Sequence, residues 1–388
     1  MLPESDPVEK ILSGFPASER DACVEMRRDL HRHPETAFEE TRTAAKVSDE
    51  LRRLNLSPRN GVGRTGVAAD LGTAGQRLLV RADMDALPLT EASGVDFASE
   101  TPGRMHACGH DGHVAIALAV AARLAGDPTV RPVRFVFQPA EERGGGARAC
   151  VADGVMDGVG AAVGLHLWNQ LPVGRVGINR GALMAAVDEF EIHVEGRGGH
   201  GAAPHETSDP IVAAARIVEA VQTIVSREVS PLDAAVVTIA SVHGGDAFNV
   251  IPSDVRLTGT ARWFRETTGD AIERKLERIV SGTAAAAGVS ARLDYRRINR
   301  PTVNDAAVAD VVIETARRLL GEENVDTETR TMGGEDMSVY LDRVPGCFFF
   351  VGSAPAGPHR PHHSPSFAID ERALAIGVAL MDAAVRNL

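Results

Sequence analysis

Apolar and polar positions alternate along the chain in two distinct rhythms. In the first third, residues 19–32 and 41–54 space their apolar side chains among charges at helical intervals, which predicts two amphipathic helices. "RLLVRADMDALP" (77–88) is a short apolar run that ends in acids and a proline, the pattern of a buried strand opening into a loop. "VRPVRFVFQPAEE" (130–142) repeats that design, and "GAAVGLHLW" (160–168) does so with His166 near its end. A helix-sized apolar segment, 112–124, lies between the first two strands. Strands alternating with helices predict an α/β fold, a mostly parallel sheet with helices on both faces. Ligands bind such sheets beyond the carboxyl ends of the strands, which is where these polar residues gather.

The rhythm changes after about residue 184. "DEFEIHVEGRGG" (188–199) alternates apolar and polar residues, as a strand with one wet face does. Ser208-Asp209-Pro210 then offers an N-cap and a first-turn proline for a helix, whose apolar stripe is Ile211, Ala214, Ile217, Val218, Val221, Ile224 and Val225. "AAVVTIASVHGG" and "DVRLTGTARWF" read as further strands and 270–287 as a second amphipathic helix. The α/β style returns with a helix at 305–320 and the strand "GCFFFVGS" (346–353). The expected division is a catalytic domain in two parts, 1–184 and 297–388, around an inserted α+β block, 185–296.

Composition narrows the class. A length of 388 residues suffices for two ordinary domains, and 44% hydrophobic with 24% charged residues is a globular profile. The formal charge of −12 argues against a nucleic-acid partner, which calls for a basic face. No run reaches the roughly 18 apolar residues of a membrane span. "MLPESDPVEK" puts charges where a signal peptide has its apolar segment. Four scattered cysteines without a CxxC pair suggest no disulfide framework, so a reducing cytoplasm is the expected location.

The densest chemistry is "GRMHACGHDGHVAIALA" (103–119), with His106, Cys108, His110, Asp111 and His113. Adding Asp83, Asp85, Glu141, Glu142, His166, His362 and His363 gives one thiol, several imidazoles and carboxylates at separate strand ends. A structural zinc site recruits four Cys/His ligands in close pairs, whereas this mixture suits a hydrolytic centre of one or two metals. One glutamate of "PAEE" can bind metal while the other takes a proton from water. A thiol enzyme with Cys108 as nucleophile and His110 and Asp111 as base and orienter is open on spacing alone. A metal-free binding protein of the same fold is a third reading, which the full ligand set opposes. In the inserted block, His200 by itself reads as a turn histidine between glycines. Arg262 is either a solvated strand residue or a grip for a carboxylate.

Nine motifs occur in one order: "RRDLHRHPETAFEE", "VRADMDALPLTE", "MHACGHDGHVA", "FQPAEERGGGA", "GLHLW", "GRGGHGAAPH", "NVIP…GTARW", "GGEDMS" and "HHSPSFAIDE". Together they resemble the dimetal amidohydrolases of the aminoacylase and carboxypeptidase superfamily. The nearest group is that of hippurate hydrolases, N-acyl-amino-acid amidohydrolases and auxin-conjugate hydrolases. The resemblance implies that Cys108 bridges two divalent ions, with His110 and His166 on one and Glu142 and His363 on the other. Zinc, manganese, cobalt or nickel would all suit these ligands. His363 is preferred to His362 because it directly precedes the "SP" step. Glu141 becomes the general base, His200 the oxyanion stabiliser, and Asn249 with Arg262 the holder of the substrate carboxylate. The inserted block becomes a lid that also makes a homodimer or higher oligomer. The implied reaction is cleavage of N-acyl amino acids, with a dipeptidase or carboxypeptidase as the alternative. Wider relatives carry a ligating histidine where this chain has Asp83, so Asp83 and Asp85 are expected to orient ligands instead. Met337, where the family commonly has Phe, is expected to reshape the acyl pocket. Roles for His106 and His113 stay open.

Overall fold

The computed structural model describes residues 6–73 and 75–388; the first five residues of the charged N-terminal segment lie outside them. The chain forms two compact units, one of Met1–Leu183, Thr302–Arg330 and Asp336–Leu388, the other of Met184–Pro301 and Thr331–Glu335.

The larger unit is built on an eight-stranded sheet. Its strands include β1 (Arg59–Val62), β2 (Gly66–Leu71), β3 (Arg77–Asp83), β4 (Val133–Gln138), β5 (Val159–Pro172) and β6 (Val176–Gly177). The order is β1-β2-β4-β3-β5, then strand Gly346–Ala354, β6 and strand Val325–Asp326. β4, β3, β5 and Gly346–Ala354 are mutually parallel, with Asp83 opposite Gln138 and His166 opposite Phe350. β1 and β2 turn back antiparallel on one side and β6 does so against Gly346–Ala354 on the other. The central strands are buried on both faces, so β3 and β4 read as continuous apolar runs.

Helices cover this sheet: α1 (Pro7–Gly14), α2 (Ala17–Arg32), α3 (Thr41–Arg53) and α4 (His110–Leu124), with later ones at Ala306–Leu320 and Arg372–Asn387. α2 turns Cys23, Arg27, Leu30 and His31 inward at helical spacing. The two polar members of that stripe are satisfied by one acid of α4: Arg27 Nε and His31 Nδ1 both donate to Asp111 Oδ2, at 2.7 and 2.8 Å. α4 itself is buried nearly all round, which explains its small-residue composition. At Gly112 a Cβ would stand 2.4 Å from Leu167 Cδ1, so any side chain there would have to displace Leu167 for α4 to lie this close to β5.

The smaller unit carries a four-stranded antiparallel sheet, in the order Ala235–His243, Asp254–Trp263, Val187–Glu195, Ser290–Asn299. Helices Pro210–Thr223 and Glu266–Ala287 pack on it over Phe190, Ile192, Val194, Ile217, Leu257, Ile272 and Leu276. Its last strand runs through residue 296, so pairing with Val187–Glu195 carries the block past the boundary expected there. Asp209 caps the first helix through Ile211 and Val212 N–H. Ala214, Ile217, Val221 and Ile224 of the expected stripe are buried, but Ile211 and Val225 are exposed. Ile224–Glu228 is a π turn, whose wider step rotates Val225 out of the stripe. Among the described residues, no helix is long and apolar enough to cross a membrane.

Candidate active site

The chemistry converges at the carboxyl ends of the parallel strands. β3 ends at Asp83, and the chain continues through Asp85; β4 leads into Pro139-Ala140-Glu141-Glu142; β5 carries His166; α4 begins at His110, two residues after Cys108. Cys108, His110 and His166 offer ligand atoms within 4.8 Å of one another, and so do Cys108, Glu142 and His363. Cys108 is the member common to both sets. His110 Nε2 lies 3.9 Å from Glu142 Oε1, which is 3.2 Å from His363 Nε2, and Cys108 Sγ is 3.5 Å from His166 Nε2. Nitrogen and sulfur ligands of one tetrahedral zinc stand about 3.3–3.7 Å apart, so the Cys108–His166 gap matches a coordination edge.

The polar bookkeeping agrees with a cation. His110 Nδ1 donates to the Asp85 carbonyl at 2.8 Å and His166 Nδ1 to the Leu167 carbonyl at 2.7 Å, which leaves both Nε2 atoms with lone pairs toward the cluster. His110 Nε2 and Glu142 Oε1 are buried and meet no hydrogen-bond partner among the described residues. Burial alone would lower the pKa of His110, but Asp83, Asp85 and Glu142 outweigh it and raise it to about 10. Burial, then Glu142, Glu141 and Asp83, push the Cys108 thiol well above its usual range. Both shifts record crowded negative charge, which a bound cation would neutralise. Burial, helped by His113 and His362, pulls His166 down and keeps its ring neutral.

The supporting shell is specific. The Asp85 carboxylate accepts the backbone N–H groups of Glu141 and Glu142 at 3.0 and 3.1 Å, which fixes the turn bearing both side chains. Asp336 N–H donates to Glu141 Oε1 at 3.4 Å. Two residues of the site hold left-handed backbone without being glycine, Ala140 at φ 53° and His363 at φ 60°. Ala140 N–H is held by buried Glu40, and His363 N–H donates to the Ala107 carbonyl. Asn169 donates to the Arg360 and Ala368 carbonyls, anchoring the loop of His362 and His363 to β5. His362 turns from the cluster, with Nε2 on the Leu167 carbonyl at 3.0 Å and its ring against Trp168. Met337 is fully buried with its sulfur beside Gly164. His106 is buried with both ring nitrogens unpartnered among the described residues.

Glu40 and Gly146 are site residues that pattern reading passes over, although both stand in motifs quoted above, "AFEE" and "RGGGA". A Cβ at Gly146 would sit 1.6 Å from the Pro139 carbonyl oxygen, so the glycine run folds directly beneath the "PAEE" turn. Gly146→Ala is expected to destabilise the protein by about 1–3 kcal/mol, as overpacking does, and to displace Glu141 and Glu142. A thermal melt beside a metal-content assay checks this; unchanged values in both would refute it.

In the smaller unit, His200 and Val250 face each other across a short antiparallel pair. His200 is exposed, and its Nδ1 accepts Ala202 N–H at 3.0 Å, which places the ring proton on Nε2. Asn249 is exposed and lends its carbonyl to Gly201 N–H. Arg262, half-buried on strand Asp254–Trp263, makes no ion pair among the described residues, and burial lowers its pKa.

An α/β sheet with a thiol, imidazole and carboxylate cluster at its strand ends defines a metal-dependent hydrolase. Residues 79–387 match peptidase family M20/M25/M40, and the chain belongs to that family. It is 39% identical to an N-acetyl-L-cysteine deacetylase of Bacillus subtilis, over 90% of this chain and 84% of that protein. It is 37% identical to thermostable carboxypeptidase 2 of Saccharolobus solfataricus, over 96% of each. The crystal structure of Bacillus subtilis YXEP, described as a dinuclear metal-binding peptidase of the M20 family, superposes with a TM-score of 0.82 at 34% identity. That match covers 95% of this chain and 98% of the other.

Proposed function

We propose that this hydrolase cleaves the amide bond between an acyl group and an amino acid that keeps a free carboxylate. The observation that carries the reading is the pair of ligand clusters sharing Cys108. His110 and His166 would hold one ion and Glu142 and His363 the other, with the Cys108 thiolate between them. The ions would be zinc, manganese, cobalt or nickel; bound there, they would polarise the scissile carbonyl and acidify the attacking water.

The chain's own groups carry the rest. Glu141, its backbone pinned by Asp85, takes the proton from water and returns it to the leaving amine. His200, with its proton on Nε2, donates to the developing oxyanion. Arg262 and Asn249 take the substrate carboxylate; an arginine with no ion pair among the described residues can form that bidentate pair. We assign residues 185–296 the role of lid and homodimer contact. Exposed Leu232, Val242, Phe248 and Val250 support that assignment, because a partner would cover them. A cytoplasmic setting suits four free, buried cysteines.

The test is a substrate panel of N-acetyl and N-benzoyl amino acids, their carboxamide analogues and free-amine dipeptides, run after chelation with each metal restored. Turnover should favour the N-acyl acids, and Arg262→Ala should raise their KM about 10–100-fold without changing the carboxamides, the worth of a lost charged hydrogen-bond pair. Preference for dipeptides, with N-acyl acids inert, would replace this reading with the peptidase that the carboxypeptidase relative suggests.

A further inference from the structure

His113 lies three residues beyond His110, and its ring stands 5.4 Å from that of His110 and 4.7 Å from that of His166. Yet its nitrogens are both engaged away from the ligand cluster. Leu167 N–H, which can only donate, points at His113 Nε2 at 2.9 Å, so Nε2 must accept. The ring proton therefore sits on Nδ1 and is donated to Asp83 Oδ1 at 2.5 Å. Asp83 is fully buried and held from its other side by Arg81 at 2.7 Å. Arg81 in turn reaches Asp336 at 2.8 Å and Gln138 at 2.9 Å, tying in the end of β4.

The far end of the chain is the Leu167 peptide. While its N–H is held by His113, the Leu167 carbonyl accepts both His166 Nδ1 and His362 Nε2. The acceptor that fixes the His166 tautomer therefore belongs to the residue whose N–H His113 holds. α4 approaches this strand at Gly112, immediately before His113, close enough for the ring to reach across.

We infer that His113 is a positioning residue, which links Asp83 on β3 to the Leu167 peptide on β5 and so holds His166 with Nε2 facing Cys108. Asp83 thereby reaches His166 through His113, besides standing 3.6 Å from His110 Nε2. The inference rests on the proposed ligand roles of Cys108 and His166, and it concerns metal affinity and geometry rather than proton transfer.

The experiment titrates cobalt into metal-free wild type, His113→Phe, His113→Gln and His113→Asn. It follows the thiolate-to-cobalt charge-transfer band and competition with a chromophoric chelator, beside a thermal melt of each metal-free protein. The Gln amide reaches the place of Nε2 and can accept Leu167 N–H; the Asn amide reaches only the place of Nδ1. Cobalt affinity should fall about 10–100-fold in the Phe variant, the usual cost of removing a ligand's support, with a shifted band. Gln should recover most of the affinity and Asn little of it. If the Phe variant does not fold, the Gln–Asn contrast decides. Equal affinities and bands in wild type and Phe, or equal losses in Gln and Asn, would overturn the inference. A wild type with no charge-transfer band would instead refute the ligand reading itself.

Discussion

Glu141→Ala keeps its metal ions and its fold but loses about 10²–10⁴-fold in kcat on N-acyl amino acids, the usual contribution of a positioned general base. The separation is expected because Glu141 and Glu142 share one turn but have different proposed tasks. Glu142 stands with Cys108 and His363, while the Glu141 carboxylate, within 4.8 Å of ligand atoms of His110 and Glu142, also accepts Asp336 N–H. Asp85 grips the backbone of both, so removing one side chain leaves the turn in place. Steady-state kinetics paired with metal analysis is the measurement. A metal-replete Glu141→Ala enzyme with near wild-type kcat would remove Glu141 from the chemistry.

Stripping the metals is expected to bring activity to background, and adding zinc, manganese, cobalt or nickel to restore it. This second result separates the metal centre from the thiol enzyme that spacing alone allows. Cys108 is buried, and its neighbours Glu142, Glu141 and Asp83 repel a thiolate. A nucleophilic cysteine needs the reverse, a partly exposed site with positive charge nearby. Bound cations supply that charge, and a ligating thiol is deprotonated by them. Metal-replete enzyme should therefore resist alkylation and lose it only after chelation. Full activity in excess chelator, abolished by an alkylating reagent, would reverse the assignment.

Much of this cluster was legible in the sequence because each proposed ligand sits next to a strong local signal. Cys108 and His110 precede a buried helix, Glu141 and Glu142 follow the proline that ends β4, and His166 closes an apolar strand. Strand ends in a parallel sheet gather on one side, so listing polar residues by strand end already groups them. The supports were less legible. Glu40 lies 100 residues from the Ala140 N–H it accepts, and Asn169 lies 191 and 199 from the carbonyls it holds. His113 sits in the same motif as His110, with the same residue type and burial, and periodicity gives no reason to part them.

The sequence by itself determined the alternation of strands and helices, the change of rhythm near residue 184 and the set of residues able to bind metal, because periodicity, punctuation and side-chain chemistry are local properties. Only the tertiary structure decided which of those residues converge and which hold the others still. His363 reaches Glu142 while His362 turns to the Leu167 carbonyl, and His110 keeps a free lone pair while His113 spends both nitrogens on Asp83 and Leu167. Such choices depend on hydrogen-bond partners tens to hundreds of residues away, which come within 3 Å only when the sheet has assembled.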